Sequence, residues 1–206
     1  MISIDIQKKL RAGKGQTGMR VKLQADKGSV TVIHGPSGAG KTTFLKIIAG
    51  LADADEGNVT IDQNIWLDTA KGFNLSPQKR KAGFVFQNYA LFPNMTVRQH
   101  LAYAGGDSAW IDQLLSLGGL QGDADHKPEH LSGGQQQRLA ILRAMANKPV
   151  LLLMDEPFSA LDQKTKTGLI AGLQKLWAEM QTTVVIVSHY PQELAEIAAQ
   201  ELFIGN

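Results

Sequence analysis

Apolar and polar residues alternate at the start of the chain, Met1-Ile2-Ser3-Ile4-Asp5-Ile6, the pattern of an edge strand with one covered face. Val21 to Gln24 and Val30 to His34 are further short β-rich runs, parted by a turn at Asp26-Lys27-Gly28. Thr42 to Ala49 reads as a helix stopped by Gly50. Asn58 to Ile61 and Asn64 to Leu67 suggest a hairpin, and Gly83 to Gln87 one more short strand. From about Thr96 to Gly119 the pattern turns helical, with Leu114, Leu115 and Leu117 near its end and Gly105-Gly106 interrupting it. Gln135 to Asn147 predicts a helix ended by Pro149. Val150 to Met154 is continuously apolar, as a strand covered on both faces requires. Lys166 to Gln181 spaces Leu169, Leu173, Leu176 and Met180 as a core-facing helical stripe. Thr182 to Ser188 then reads as a buried strand, Gln192 to Ala199 as a helix and Leu202 to Ile204 as a last strand. Strands alternating with helices predict an α/β fold around a parallel sheet. The 96–138 region reads as a helical insertion in it.

Composition narrows the class. The chain has 206 residues, 43% hydrophobic and 19% charged, enough for one large domain with a sizeable core. A net charge of +2 gives no electrostatic case for a nucleic-acid partner. Cysteine is absent, which excludes disulfides and thiolate metal sites and fits a reducing compartment. No run approaches the ~18 apolar residues of a membrane span, and the start lacks the basic and apolar segments of a secretory signal. The expectation is a cytoplasmic chain whose membrane work goes through a partner.

Three stretches carry chemistry. Gly35-Pro36-Ser37-Gly38-Ala39-Gly40-Lys41-Thr42 fits the P-loop pattern G-x-x-x-x-G-K-[ST], with a strand before it and a helix after it. Its glycines let backbone N–H groups approach phosphates, Lys41 reaches the β- and γ-phosphates, and Thr42 helps hold Mg²⁺. Leu151 to Met154 runs into Asp155 and Glu156, a strand that delivers one carboxylate to the metal and a second to the attacking water. Leu131-Ser132-Gly133-Gly134-Gln135 is a turn opening a helix, a second anion site in which Ser132 is also the N-cap.

These three stretches, in this order, resemble the ATP-binding cassette (ABC) ATPases. The resemblance implies one nucleotide-binding domain over 1–206. Its parts are a P-loop NTPase (RecA-like) core with a parallel sheet, an antiparallel β-subdomain, and a helical subdomain inserted at about 88–138. It implies ATP and Mg²⁺ as cofactors. Nucleotide would be bound by Gly35, Pro36, Ser37, Gly38, Ala39, Gly40, Lys41, Thr42 and Thr43. Ser132, Gly133, Gly134 and Gln135 would cap nucleotide held by a second copy packed head to tail. Ser159-Ala160-Leu161-Asp162 looks like the D-loop, placing Asp162 at the dimer interface. Thr42, Gln87 and Asp155 would hold the metal. Glu156, the switch histidine His189 and the Q-loop glutamine Gln87 would be catalytic. The other four histidines, His34, His100, His126 and His130, have no such match.

One departure matters. The family usually has an aromatic residue some twenty-odd positions before the P-loop, stacked on adenine; here no Phe, Tyr or Trp precedes Phe44. Leu10, Arg11 and Met19 are the candidates to cover the base instead. Lys8-Lys9 and the Arg11-to-Lys14 stretch fit either a basic phosphate patch or, as the preferred reading, a solvated face.

The 43 residues between Gln87 and Leu131 match the family's helical subdomain and fall far short of the long coiled coils of DNA-repair relatives. Asn88 to Val97 is similar to the segment after the Q-loop in importers, near the groove for the permease's coupling helix. Trp66-Leu67-Asp68-Thr69, Leu75-Ser76-Pro77 and Lys79-Arg80-Lys81, leading into Gly83-Phe84-Val85-Phe86-Gln87, are similar to molybdate-importer ATPases. Importers of sulfate, ferric iron, polyamines and maltose share much of this order. The implied partners are a second copy of the chain and transmembrane permease subunits, with a solute-binding protein upstream and no nucleic acid. The implied location is peripheral, on the cytoplasmic face of the membrane. The chain stops soon after its last strand, so the C-terminal β-domain of many relatives is not expected. The rival classes are a soluble ABC protein acting on nucleic acid and a P-loop kinase.

Overall fold

The computed structural model describes the backbone of residues 1–12 and 15–205 and the side chains of 1–10 and 18–205. Two long strands, β1 (Ile2–Ala12) and β2 (Gly15–Ala25), form an antiparallel pair. β3 (Val30–His34) leads into the P-loop and α1 (Lys41–Ala49) follows it. β4 (Glu56–Ile61), β5 (Asn64–Asp68) and the two-residue β6 (Phe73–Asn74) complete an antiparallel sheet of order β2-β1-β4-β5-β6. β1 is therefore not at an edge: it pairs with β2 on one side and β4 on the other. Its alternation reports one buried face, and strand neighbours are chosen by long-range pairing that this pattern does not encode. In the β4–β5 turn Asp62 and Gln63 both have positive φ, 46° and 69°, as a two-residue type I′ hairpin demands.

The second sheet begins with β7 (Ala82–Val85). Three helices follow: α2 (Val97–Tyr103), α3 (Ser108–Gly118) and α4 (Gly133–Met145). The Gly105-Gly106 interruption falls between α2 and α3, with Gly105 at φ 106°. β8 (Leu151–Asp155), α5 (Gln163–Met180), β9 (Thr183–Val187) and β10 (Gln200–Phe203) complete the chain. The sheet order is β10-β3-β9-β8-β7, all parallel. The Gln192–Ala199 helix does not form. Only a 3₁₀ turn at Pro191–Leu194 is present, and the Ala199 N–H already pairs with the Val30 carbonyl, 2.9 Å away, to start β10.

Alternate residues of the parallel strands enter different cores. Leu151 and Leu153 pack with α1 and the buried faces of β1, β2, β4 and β5. Leu152 and Met154 pack with α2, α3, α4 and α5. The continuous apolar runs thus serve a sheet covered on both sides.

Arg80 ties the antiparallel sheet to α1. Its guanidinium is buried and donates to the last-turn carbonyls of Ile47 and Ile48, to Trp66 O (3.0 Å), Leu75 O (2.9 Å) and Asn74 Oδ1 (2.6 Å). Burial pulls its pKa down to about 10, so it stays charged at neutral pH and complements the negative end of α1.

Candidate functional site

The cleft forms where β3, β8 and β9 end. Strand β3 delivers the chain into a loop that only glycine permits at two points. Gly35 has φ 146°, and a Cβ there would collide with the Ile204 carbonyl. Gly40 has φ 95°, and a Cβ would lie 2.7 Å from both Leu10 and Met19. Gly40 is also the N-cap of α1 and makes no side-chain cap bond, so first-turn N–H groups are left for an anion. The Lys41 ammonium donates to the Gly35 and Pro36 carbonyls, at 2.8 and 2.9 Å, inside the loop a phosphate would fill.

Strand β8 places Asp155 beside the loop. The Thr42 hydroxyl donates to Asp155 Oδ2 at 2.7 Å, putting two hard oxygen donors side by side. Glu156 follows at φ 52°, a left-handed conformation costing a non-glycine residue about 1–3 kcal/mol. It is held there by its N–H, which donates to Val187 O at 3.0 Å, and by bonds to its carbonyl. The twist aims the carboxylate into the cleft. Glu156 Oε1 is buried without a hydrogen-bond partner. His189, just beyond β9, has Nε2 3.5 Å from that oxygen, and its N–H donates to Oε2 at 3.4 Å. Burial pushes the Glu156 carboxyl above its ordinary range; the nearby His189 opposes this less strongly.

The cleft has a volume of about 350 Å³. It is lined by Ser37, Gly38, Gly40, Lys41, Thr42 and Thr43 from the loop and α1, together with Gln87, Asp155, Glu156 and His189. Gln87 lies in the turn after β7, not in the strand. Leu10 borders both this cleft and an adjoining recess that Met19, Pro36, Ala39 and Phe203 also line. Leu10 and Met19 are thus next to the loop, while the Arg11 side chain lies outside the described residues. Phe203, an exposed ring on β10, had no sequence signal beyond being aromatic near the C-terminus.

Ser132, Gly133, Gly134, Gln135 and Asp162 do not line this cleft. Ser132 caps α4 in a reciprocal capping box with Gln135, and both Ser132 and Gly133 are exposed. Asp162 caps α5 by accepting from Thr165 N at 3.0 Å, and these Thr165 contacts hold its carboxyl below the usual range. Among the described residues no cluster of three or more His, Cys, Asp or Glu could hold a metal, and no helix is long and apolar enough to cross a membrane.

A parallel sheet with a Gly-rich loop between β3 and α1, facing a strand-end carboxylate pair, defines a P-loop NTPase fold. Residues 19–159 match the family model described as ABC transporter, and the chain belongs to that family. It is 42% identical over 202 residues to the sulfate/thiosulfate import ATP-binding protein CysA of Mesostigma viride, covering 94% of this chain and 56% of that one. It is 40% identical over 183 residues to the molybdenum import ATP-binding protein ModC of Pseudomonas aeruginosa, covering 86% and 51%. The chain thus spans about half the length of these relatives. A dimeric bacterial ABC transporter cassette shares the fold with a TM-score of 0.84 and 34% identity, over 99% of this chain and 94% of that one. The same cassette has been solved as a post-hydrolysis dimer bound to ADP and Pi.

Proposed function

We propose that this chain binds ATP with Mg²⁺, hydrolyses it, and so drives an ABC importer for a small oxyanion, molybdate or tungstate first. The observation that carries the reading is the pairing of an anion-ready loop with a desolvated carboxylate. Lys41 leaves the Gly35 and Pro36 carbonyls for the β- and γ-phosphates, while α1 N–H groups hold the phosphate oxygens. The Thr42 hydroxyl and Asp155 carboxylate fit Mg²⁺, a hard cation that keeps several waters, with Gln87 at the rim. Mg²⁺, when bound, offsets phosphate charge.

Glu156 then orients a water and takes its proton as the water oxygen bonds the γ-phosphorus and the bridge to the β-phosphate breaks, leaving ADP and phosphate. His189, beside Glu156 Oε1, faces the same phosphate. The Ser132–Gln135 turn caps the nucleotide of a second copy, and Asp162 lies at that interface. Closing and reopening of the pair moves permease subunits on the cytoplasmic face of the membrane, with a solute-binding protein supplying the solute. Relatives of similar identity carry sulfate/thiosulfate names as well as molybdenum names, so sulfate is the second reading.

The test is the solution size of the Glu156→Gln protein with and without ATP. Conversion from monomer to dimer by ATP, with turnover down by about 10²–10⁴-fold, is expected. Undiminished turnover sinks the assignment of Glu156. With the permease reconstituted in vesicles, ATP-driven uptake of molybdate over sulfate is expected, and the reverse preference favours the second reading.

A further inference from the structure

Gln137 is the one side chain of the Gln135-Gln136-Gln137 run that is buried, at 1% exposure, although it is polar and lies outside the cleft. It shares the core stripe of α4 with Ala140, Ile141 and Ala144. A buried amide in such a stripe must find partners, and this one finds three. Its Nε2 donates to the Glu156 carbonyl at 3.0 Å and to Ser159 Oγ at 3.2 Å. Its Oε1 accepts from the Ala160 N–H at 2.8 Å. Two acceptors on one end and a backbone donor on the other fix which way the amide points.

The bonds fall where the backbone is most constrained. Glu156 sits at φ 52°, and such a conformation persists only where its surroundings over-determine it. Val187 holds the N–H side of that residue, and Gln137 and Ser159 hold its carbonyl. Gln137 thus fixes the peptide that aims the carboxylate, from a helix that begins at the exposed Ser132 cap. Only five positions, about 7 Å of rigid helix, separate that cap from Gln137. Gly134 packs on the same turn, since a Cβ there would lie 3.3 Å from Ala160 O.

We infer that Gln137 is a positioning residue that couples the Ser132–Gln135 turn to Glu156. The inference rests on the proposed function. There the turn meets the nucleotide of the second copy while Glu156 acts on the chain's own, so Gln137 joins the two sites. Nucleotide seated against the turn shifts α4, and the amide carries the shift to the Glu156 carbonyl.

The experiment compares ATP hydrolysis by wild type, Gln137→Met and Gln137→Glu. Methionine fills the volume without the bonds. Glutamate keeps the acceptor for Ala160 and replaces the amide donor, so it stands in if the methionine variant does not fold. The expected result is kcat down by about 10- to 100-fold with the KM for ATP within about twofold. Wild type is expected to show a sigmoidal ATP dependence that becomes hyperbolic in the variants, at a melting temperature that shows a folded chain. A variant that folds with unchanged kcat, or whose loss lies in KM, overturns the inference while leaving the proposed function standing. A wild type with hyperbolic ATP dependence overturns the coupling between sites. A wild type that binds ATP and never hydrolyses it overturns the proposed function itself, and this inference with it.

Discussion

In the proposed function Glu156 concentrates the chemistry at a single backbone position, and its burial has a pH signature. The folded carboxyl titrates above its ordinary value because ionising it in the cleft forfeits hydration. The folded chain therefore holds that proton to higher pH than the unfolded chain. Folding stability falls as pH rises from the ordinary carboxylate value through the raised one. Glu156→Gln has no such titration. The expected outcome is a variant more resistant to urea than wild type at neutral pH, with the gap closing toward acid, read from unfolding midpoints across pH. Equal midpoints at all pH values would mean the carboxylate is not desolvated. In the same way, kcat/KM of wild type should climb with pH along an acid limb set by this group. The residue itself was legible, since an apolar run ending in Asp-Glu is a local pattern. Its left-handed φ was not, because that depends on Val187 and Gln137, which lie far away in sequence.

At the scale of elements, covalently local signals were read well and long-range ones were not. The P-loop, the β4–β5 hairpin and the α4 cap each depend on residues within a few positions of one another. The position of β1 inside its sheet and the single turn at Pro191–Leu194 depend on where distant strands pair. Arg80 showed in the sequence only as part of a basic cluster, although it braces α1. Gln137 stands at the apolar spacing of α4 with Ala140, Ile141 and Ala144, but its partners at Glu156, Ser159 and Ala160 lie 19 to 23 residues away, beyond the reach of a local pattern.

The segment before α2 carries its own test. His100 is fully buried, with Nδ1 2.7 Å from Thr96 O and Nε2 accepting the Phe92 N–H at 2.9 Å. Those roles require the neutral ring, and burial, aided by Arg143, lowers its pKa. Its contribution is present above the ordinary histidine value and is lost as pH falls through the lowered one. Amide exchange at Phe92, normalised for intrinsic rate, should therefore quicken on mild acidification in wild type. A protection factor independent of pH would contradict this assignment.

At the scale of the molecule, two cores meet at one parallel sheet, and the sheet's strand ends carry the cleft. The layered α/β plan followed from the alternation of strands and helices. The way Leu151 and Leu153 face one core while Leu152 and Met154 face the other could not be read from a uniformly apolar run.

The Ser132 turn lies outside the cleft of its own chain, and that separation has a consequence in mixtures. Lys41→Ala should disable the loop and spare the turn; Ser132→Arg should do the reverse. Each protein alone is then expected to be nearly inactive. Combined in equal amounts, they can pair so that the sound loop of one faces the sound turn of the other, restoring about a quarter of wild-type activity if pairing is random and each site works alone. Two defective proteins would complement each other in a test tube. A mixture as inactive as its parts would mean that each chain completes its own site, or that neither site works unless both are intact.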